Sequence, residues 1–137
     1  MPANDLQDTP AEELTGKVVC IEDEPINLAI VEELLKQFPK VQLITATTGA
    51  EGVRLVREHR PDFVLLDMHL PDIDGLRLLE LAKGETHSAH IPVIVVSADA
   101  LSEQVQAALR AGAVAYVTKP LNLDDTLREV DRVLAAR

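Results

Sequence analysis

A chain of 137 residues, 47% apolar and 26% charged, has the length of one domain and the composition of a globular protein rather than a disordered one. No apolar run approaches the ~20 residues that cross a bilayer, and the polar, acidic N-terminus lacks the basic stretch and apolar core of a secretory signal. A net charge of −10 argues against nucleic-acid backbone binding, and the single cysteine, Cys20, excludes an internal disulfide and points to a reducing, cytoplasmic setting.

Residues 1–16 are rich in Pro, Asp, Glu, Gln and Asn with almost no apolar spacing. They read as a flexible leader or linker, with the folded domain at 17–137. From Lys17 onward, short β-branched runs alternate with longer helical ones. The strand-like runs are 17–22, 41–46, 62–66, 91–96 and 114–118. They are nearly continuous in Val, Ile, Leu and Thr, as expected for parallel strands covered on both faces. Between the first two runs, Leu28, Val31, Leu34, Leu35 and Phe38 predict a helix over 26–38, with Pro25 preset for its first turn. A second helix is expected over 49–59 and is stopped by Arg60-Pro61. A third, over 75–83, follows Asp74 as N-cap, and a fourth, over 102–111, follows Ser102 as N-cap and ends at Gly112. Leu123, Leu127, Val130 and Leu134 mark the last, over 123–136. Five strand–helix units in succession imply an α/β doubly wound parallel sheet with helices on both faces.

In such a sheet all strands present their carboxyl ends at one edge, where ligands bind. Here those ends carry Glu22-Asp23, Asp67, Ser97 and Lys119-Pro120. Three carboxylates brought together repel unless a cation neutralises them, and an all-oxygen donor set suits Mg2+. The four histidines are scattered and offer no zinc spacing; His59, His87 and His90 read as surface residues. Carboxylate, metal, lysine and hydroxyl together suit one chemistry. Asp67 attacks a phosphoryl donor, Lys119 and the cation stabilise charge on the phosphoryl oxygens, and Ser97 hydrogen-bonds the transferred group. With two Phe, one Tyr and no Trp, stacking against a flavin or base is poorly supported, and neither Gly-x-Gly-x-x-Gly nor a P-loop occurs.

Four segments, in order and at these spacings, carry a resemblance: Ile21-Glu22-Asp23-Glu24-Pro25, Asp67-Met68-His69-Leu70-Pro71-Asp72-Ile73-Asp74-Gly75, Ser97-Ala98, and Tyr116-Val117-Thr118-Lys119-Pro120. Over residues 17–137 the chain resembles the receiver domains of bacterial response regulators and hybrid histidine kinases. The resemblance implies a flavodoxin-like five-stranded parallel sheet in the order 2-1-3-4-5. It implies Asp67 as phosphoacceptor, Asp23 as a direct metal ligand, Glu22 acting largely through water, and the backbone carbonyl of His69 as a further ligand. It also implies Mg2+, with Mn2+ as a substitute, and a cis bond before Pro120 that aims Lys119. Ser97 and Tyr116 would be the switch pair, Ser97 drawn inward by the phosphoryl group and Tyr116 turning into the vacated space. Asp74 and Asp72 would shape the loop after Asp67, with Gly75 allowing its tight entry into the next helix, while His69 and Asp99 would govern access of water.

The expected function is that of a signalling switch that catalyses only its own phosphorylation and dephosphorylation. The implied donor is a histidine kinase or histidine phosphotransfer protein. A downstream protein partner and a phosphorylation-dependent dimer are expected, without direct nucleic-acid or membrane contact. The alternative is a metal-dependent phosphohydrolase with an aspartate nucleophile. That class usually places a second aspartate where His69 stands, and it carries a cap domain for which 137 residues leave no room. Both a stand-alone receiver and a piece of a hybrid kinase fit the sequence.

Overall fold

In the computed structural model, residues 13–86, 88–99, 101–119 and 121–136 are described. Residues 1–12, His87, Ala100, Pro120 and Arg137 lie outside them, so the leader up to residue 12, the surface reading of His87 and the cis bond before Pro120 have no structural account. The elements run β1 (Thr15–Ile21), α1 (Pro25–Leu35), β2 (Lys40–Ala46), α2 (Gly49–His59), β3 (Phe63–Asp67), α3 (Gly75–Gly84), β4 (Val93–Ser97), α4 (Ser102–Arg110), β5 (Ala115–Thr118) and α5 (Leu123–Ala135). All strand pairs are parallel and the sheet order is β2-β1-β3-β4-β5, as expected for the flavodoxin-like arrangement.

Alternate strand residues face opposite sides, and both sides are covered. Val18, Cys20, Phe63, Leu65, Ile94 and Val96 pack with Leu34 and Phe38 beside α1, and with Val130 and Leu134 of α5. Their neighbours Val19, Ile21, Val64, Leu66, Val93 and Val95 pack with Leu55 of α2, Leu78 and Leu79 of α3 and Ala108 of α4. This two-sided burial is why the strands are continuous apolar runs rather than alternating ones.

The boundaries differ from expectation in instructive places. β1 starts at Thr15, paired with Lys40, and Leu14 is buried in the core, so the domain begins before residue 17. α1 ends at Leu35: Lys36, Gln37 and Phe38 then donate to carbonyls three residues back, a tightening that precedes Pro39. Two expected caps are not made. Asp74 occupies the N-cap position of α3 without a side-chain bond, and Ser102 is the first helical residue of α4, behind Leu101. Thr48 and Asn122, which the periodicity did not single out, cap α2 and α5 by accepting from Glu51 N and Asp125 N, each at 3.1 Å. Gly112 has φ 112°, the left-handed stop expected after α4.

Thr126 of α5 sits in this core with its Oγ1 buried and without a hydrogen-bond partner among the described residues. A desolvated, unpaired hydroxyl costs roughly 1–3 kcal/mol, whereas the valine side chain of similar shape costs nothing of this kind. Thr126→Val is therefore expected to stabilise the fold by about 1 kcal/mol, measured as an upward shift of the urea midpoint at unchanged slope. A lower midpoint would contradict this account of Thr126.

Candidate functional site

The carboxyl edge of the sheet is built by the strand ends themselves. Glu22 N donates to Ala46 O at 2.9 Å, so the first acid is held against the end of β2. Asp67, the last residue of β3, pairs in register with Val96, and Met68 N donates to Val96 O at 3.1 Å. Lys119 N donates to Ser97 O at 2.8 Å, which carries the lysine from β5 toward β4. Because the strands are covered on both faces, the side chains that leave their ends remain largely enclosed: Glu22, Asp67 and Ser97 are 3%, 2% and 1% exposed.

Lys119 Nζ lies 3.1 Å from Asp67 Oδ1 and 3.1 Å from Glu22 Oε1. Glu22 Oε2 accepts from Glu24 N at 3.1 Å, and Asp67 Oδ1 also accepts from His69 N at 3.1 Å. Burial pushes the Glu22 carboxyl up to about 7, helped by its hydrogen bond and proximity to Asp67. Burial opposes the charge on Lys119, but its bonds to Asp67 and Glu22 outweigh that and hold its ammonium above the ordinary lysine value. Thus one cation serves two nearly buried acids, and a third acid stands beside them. One oxygen from each of Glu22, Asp23 and Asp67 falls within 4.8 Å of the others. Asp23 is exposed. Hard oxygen donors and excess negative charge fit a divalent cation such as Mg2+.

Ser97 and Tyr116 converge on a different point. Ser97 Oγ accepts from Asp99 N at 3.1 Å, and the half-buried Tyr116 donates its hydroxyl to Asp99 O at 2.6 Å. Asp99 Oδ1 in turn accepts from Leu101 N at 3.0 Å. The structure therefore joins the two expected switch residues through one backbone unit, a link that has no sequence signature. His69 is exposed and bridges to Asp74, while Gly75 N donates to Met68 O at 3.0 Å. A Cβ on Gly75 would overlap the backbone of Met68, which explains why a glycine opens α3.

One contact went unread in the sequence. The Asp72 carboxylate accepts from Gly49 N at 2.8 Å and Ala50 N at 3.0 Å, and these bonds hold its carboxyl below the usual carboxylate range. The partners lie 22 and 23 residues away, beyond any local pattern. Cys20 is buried, and desolvation followed by the charges of Glu22 and Asp67 pushes its thiol well up, leaving it an apolar core group. Among the described residues no helix is long and apolar enough to cross a membrane.

Comparison with known proteins gives consistent results. The profile of the response regulator receiver domain family matches residues 18–131. The polar-differentiation response regulator DivK of Brucella ovis is 32% identical over 110 residues, covering 80% of this chain and 89% of that protein. The receiver domain of sensor histidine kinase PA1611 from Pseudomonas aeruginosa PAO1, with a magnesium ion coordinated in its active-site cleft, is similar with a TM-score of 0.78 and 25% identity, over 88% of this chain and 98% of that one. The Mn(2+)-bound form of response regulator Rcp1 is similar with a TM-score of 0.72 and 26% identity, over 85% and 89% of the two chains.

The shared ammonium makes a direct demand on stability. Lys119→Ala leaves Glu22 and Asp67 buried without their cation and is expected to cost about 3 kcal/mol in metal-free buffer. Glu22→Gln in the same background, compared at alkaline pH where Glu22 is ionised, should recover part of that loss, because there it removes one of the two stranded charges. A Lys119→Ala protein that melts with the wild type would show that the ammonium does not hold these acids.

Proposed function

This chain belongs to the family of response regulator receiver domains, the phosphoaccepting modules of two-component signal transduction, and we propose that Asp67 is its phosphoacceptor. The observation that carries the reading is the Lys119 ammonium at 3.1 Å from both Asp67 and Glu22, at the mouth of a parallel sheet. Asp67 attacks the phosphorus of a phosphohistidine on a histidine kinase or histidine phosphotransfer protein. The new O–P bond forms as the P–N bond breaks, and the imidazole leaves with the bonding pair. Lys119 is placed to follow the charge that accumulates on the phosphoryl oxygens. Ser97 would then turn its hydroxyl to the transferred group.

Glu22, Asp23, Asp67 and the backbone carbonyl of His69 are the residues that would hold Mg2+, or Mn2+ in its place. When bound, the cation neutralises the acids and polarises the phosphoryl oxygens. The chain's own part is to enclose Asp67, to keep Lys119 protonated by means of its acidic partners, and to hold Asp23 at the solvent side of the cluster. Hydrolysis returns the carboxylate, so the protein catalyses its own phosphorylation and dephosphorylation and turns over no separate metabolite.

The readout runs through Asp99. Moving the Ser97 hydroxyl toward the phosphoryl group gives up its bond from Asp99 N, and Asp99 O is the acceptor for Tyr116. The same event thus loosens both switch residues and shifts the population between two arrangements. The partner that reads this change is a protein, with a phosphorylation-dependent dimer as one form of it, and the setting is the cytoplasm.

Acetyl phosphate with Mg2+ should add one alkali- and hydroxylamine-labile phosphoryl group per chain by mass spectrometry, and Asp67→Asn should abolish it. Sustained turnover of a generic phosphate ester would mark a phosphohydrolase instead. Replacing His69 and Asp99 together should change the lifetime of the phosphorylated form, because both flank the route of the hydrolytic water. An unchanged dephosphorylation rate in the double variant would remove them from that role.

A further inference from the structure

We infer that Asp72 is a positioning residue for the metal end of the site: its carboxylate clamps the β3–α3 loop to the first turn of α2 and so fixes the loop backbone at His69. This rests on the phosphoacceptor reading above. The clamp is two-pronged, with Oδ1 accepting from Gly49 N at 2.8 Å and Oδ2 from Ala50 N at 3.0 Å. A carboxylate across two free N–H groups at a helix start is a charge-assisted contact that also suits the helix dipole. The local cap of α2 is separate: Thr48 accepts from Glu51 N, the donor that Asp72 leaves alone. What Asp72 adds is a connection between segments far apart in the chain.

That connection closes a ring. Glu22 N is bonded to Ala46 O at the end of β2, and three residues further on α2 begins at Gly49. Gly49 and Ala50 are bonded to Asp72, five residues beyond Asp67, and Asp67 returns to Glu22 through Lys119. The contact between loop and helix is close: a Cβ on Gly49 would overlap the Ile73 side chain. At its near end the loop is tied by His69 N to Asp67 Oδ1, and at its far end by the His69–Asp74 bridge and by Gly75 N to Met68 O. Its midpoint is tied by Asp72.

Mg2+ demands near-ideal octahedral oxygen geometry, so a ligand on a loop free to shift by a few tenths of an ångström binds it less well. Groups that orient ligands without touching the metal are typically worth ~10–100-fold in affinity. Asp72 acts through His69 in that way.

The test compares four full-length proteins: wild type, Asp72→Ala, Asp72→Asn and Thr48→Ala. Mg2+ itself is the probe, titrated by calorimetry and by amide NMR shifts, and acetyl phosphate labelling is measured over a range of Mg2+ concentrations. Asp72→Ala should weaken Mg2+ about 10-fold, and labelling should return toward the wild-type rate once Mg2+ is saturating. Asp72→Asn, which keeps one acceptor oxygen, should fall between the two. Thr48→Ala removes a cap from the same helix without touching the loop, so it should lower the melting temperature and leave Mg2+ affinity within about twofold of wild type. The inference is overturned if Asp72→Ala binds Mg2+ as the wild type does, or if Thr48→Ala weakens Mg2+ equally. Should the wild-type chain itself fail to bind Mg2+, the phosphoacceptor reading fails instead, independently of Asp72.

Discussion

The arrangement depends on one ammonium shared between two enclosed carboxylates. Glu22 and Asp67 leave the ends of different strands, and nothing in the packing of β1 or β3 favours placing negative charges side by side. Lys119, delivered by a third strand, makes their proximity tolerable, and Asp23 adds a further charge at the solvent edge. A site so constructed is short of positive charge by design of its donors. It accepts a small cation readily, because hard oxygen donors outnumber the one ammonium among them.

The strands set how firmly this balance is held. The acids and Ser97 sit within one residue of hydrogen-bonded ladder positions, so their backbones are as rigid as the sheet. The loops after β3 and β4 are secured by other means, namely the Asp72 clamp and the Asp99 junction. The first joins a loop to a helix start; the second joins a serine and a tyrosine to the backbone of one residue, Asp99. Rigid strands thus hold Glu22, Asp67 and Ser97, while the loops beside them hang on a few exchangeable hydrogen bonds.

Much of this was legible in the sequence because two-sided burial writes a strong signal. Continuous apolar runs marked all five strands, and the residues just past them marked the site. The signal weakened where pairing rather than composition decides. Thr15 and Gly16 look like linker, yet they join β1 because β2 is long enough to pair with them. Asp74 and Ser102 have the spacing of N-caps, but Asp74 makes no side-chain cap bond and Ser102 is already helical, behind Leu101. Asp72 and Asp99 were read as a loop-shaping residue and a water-access residue, but the contacts they make escaped for the opposite reason. Their chemistry lies in contacts to backbone, and in the case of Asp72 across more than twenty residues, which no local periodicity records.

The sheet also divides the interior into two clusters that share no residue, one beneath α1 and α5 and the other beneath α2, α3 and α4. Substitutions on opposite sides meet only through the strand backbones, so their energetic effects should be close to independent. Such a partition lets a lineage alter the surface that recognises one set of proteins while the opposite side keeps its packing. A common chemical core can then be re-addressed to new circuits one face at a time.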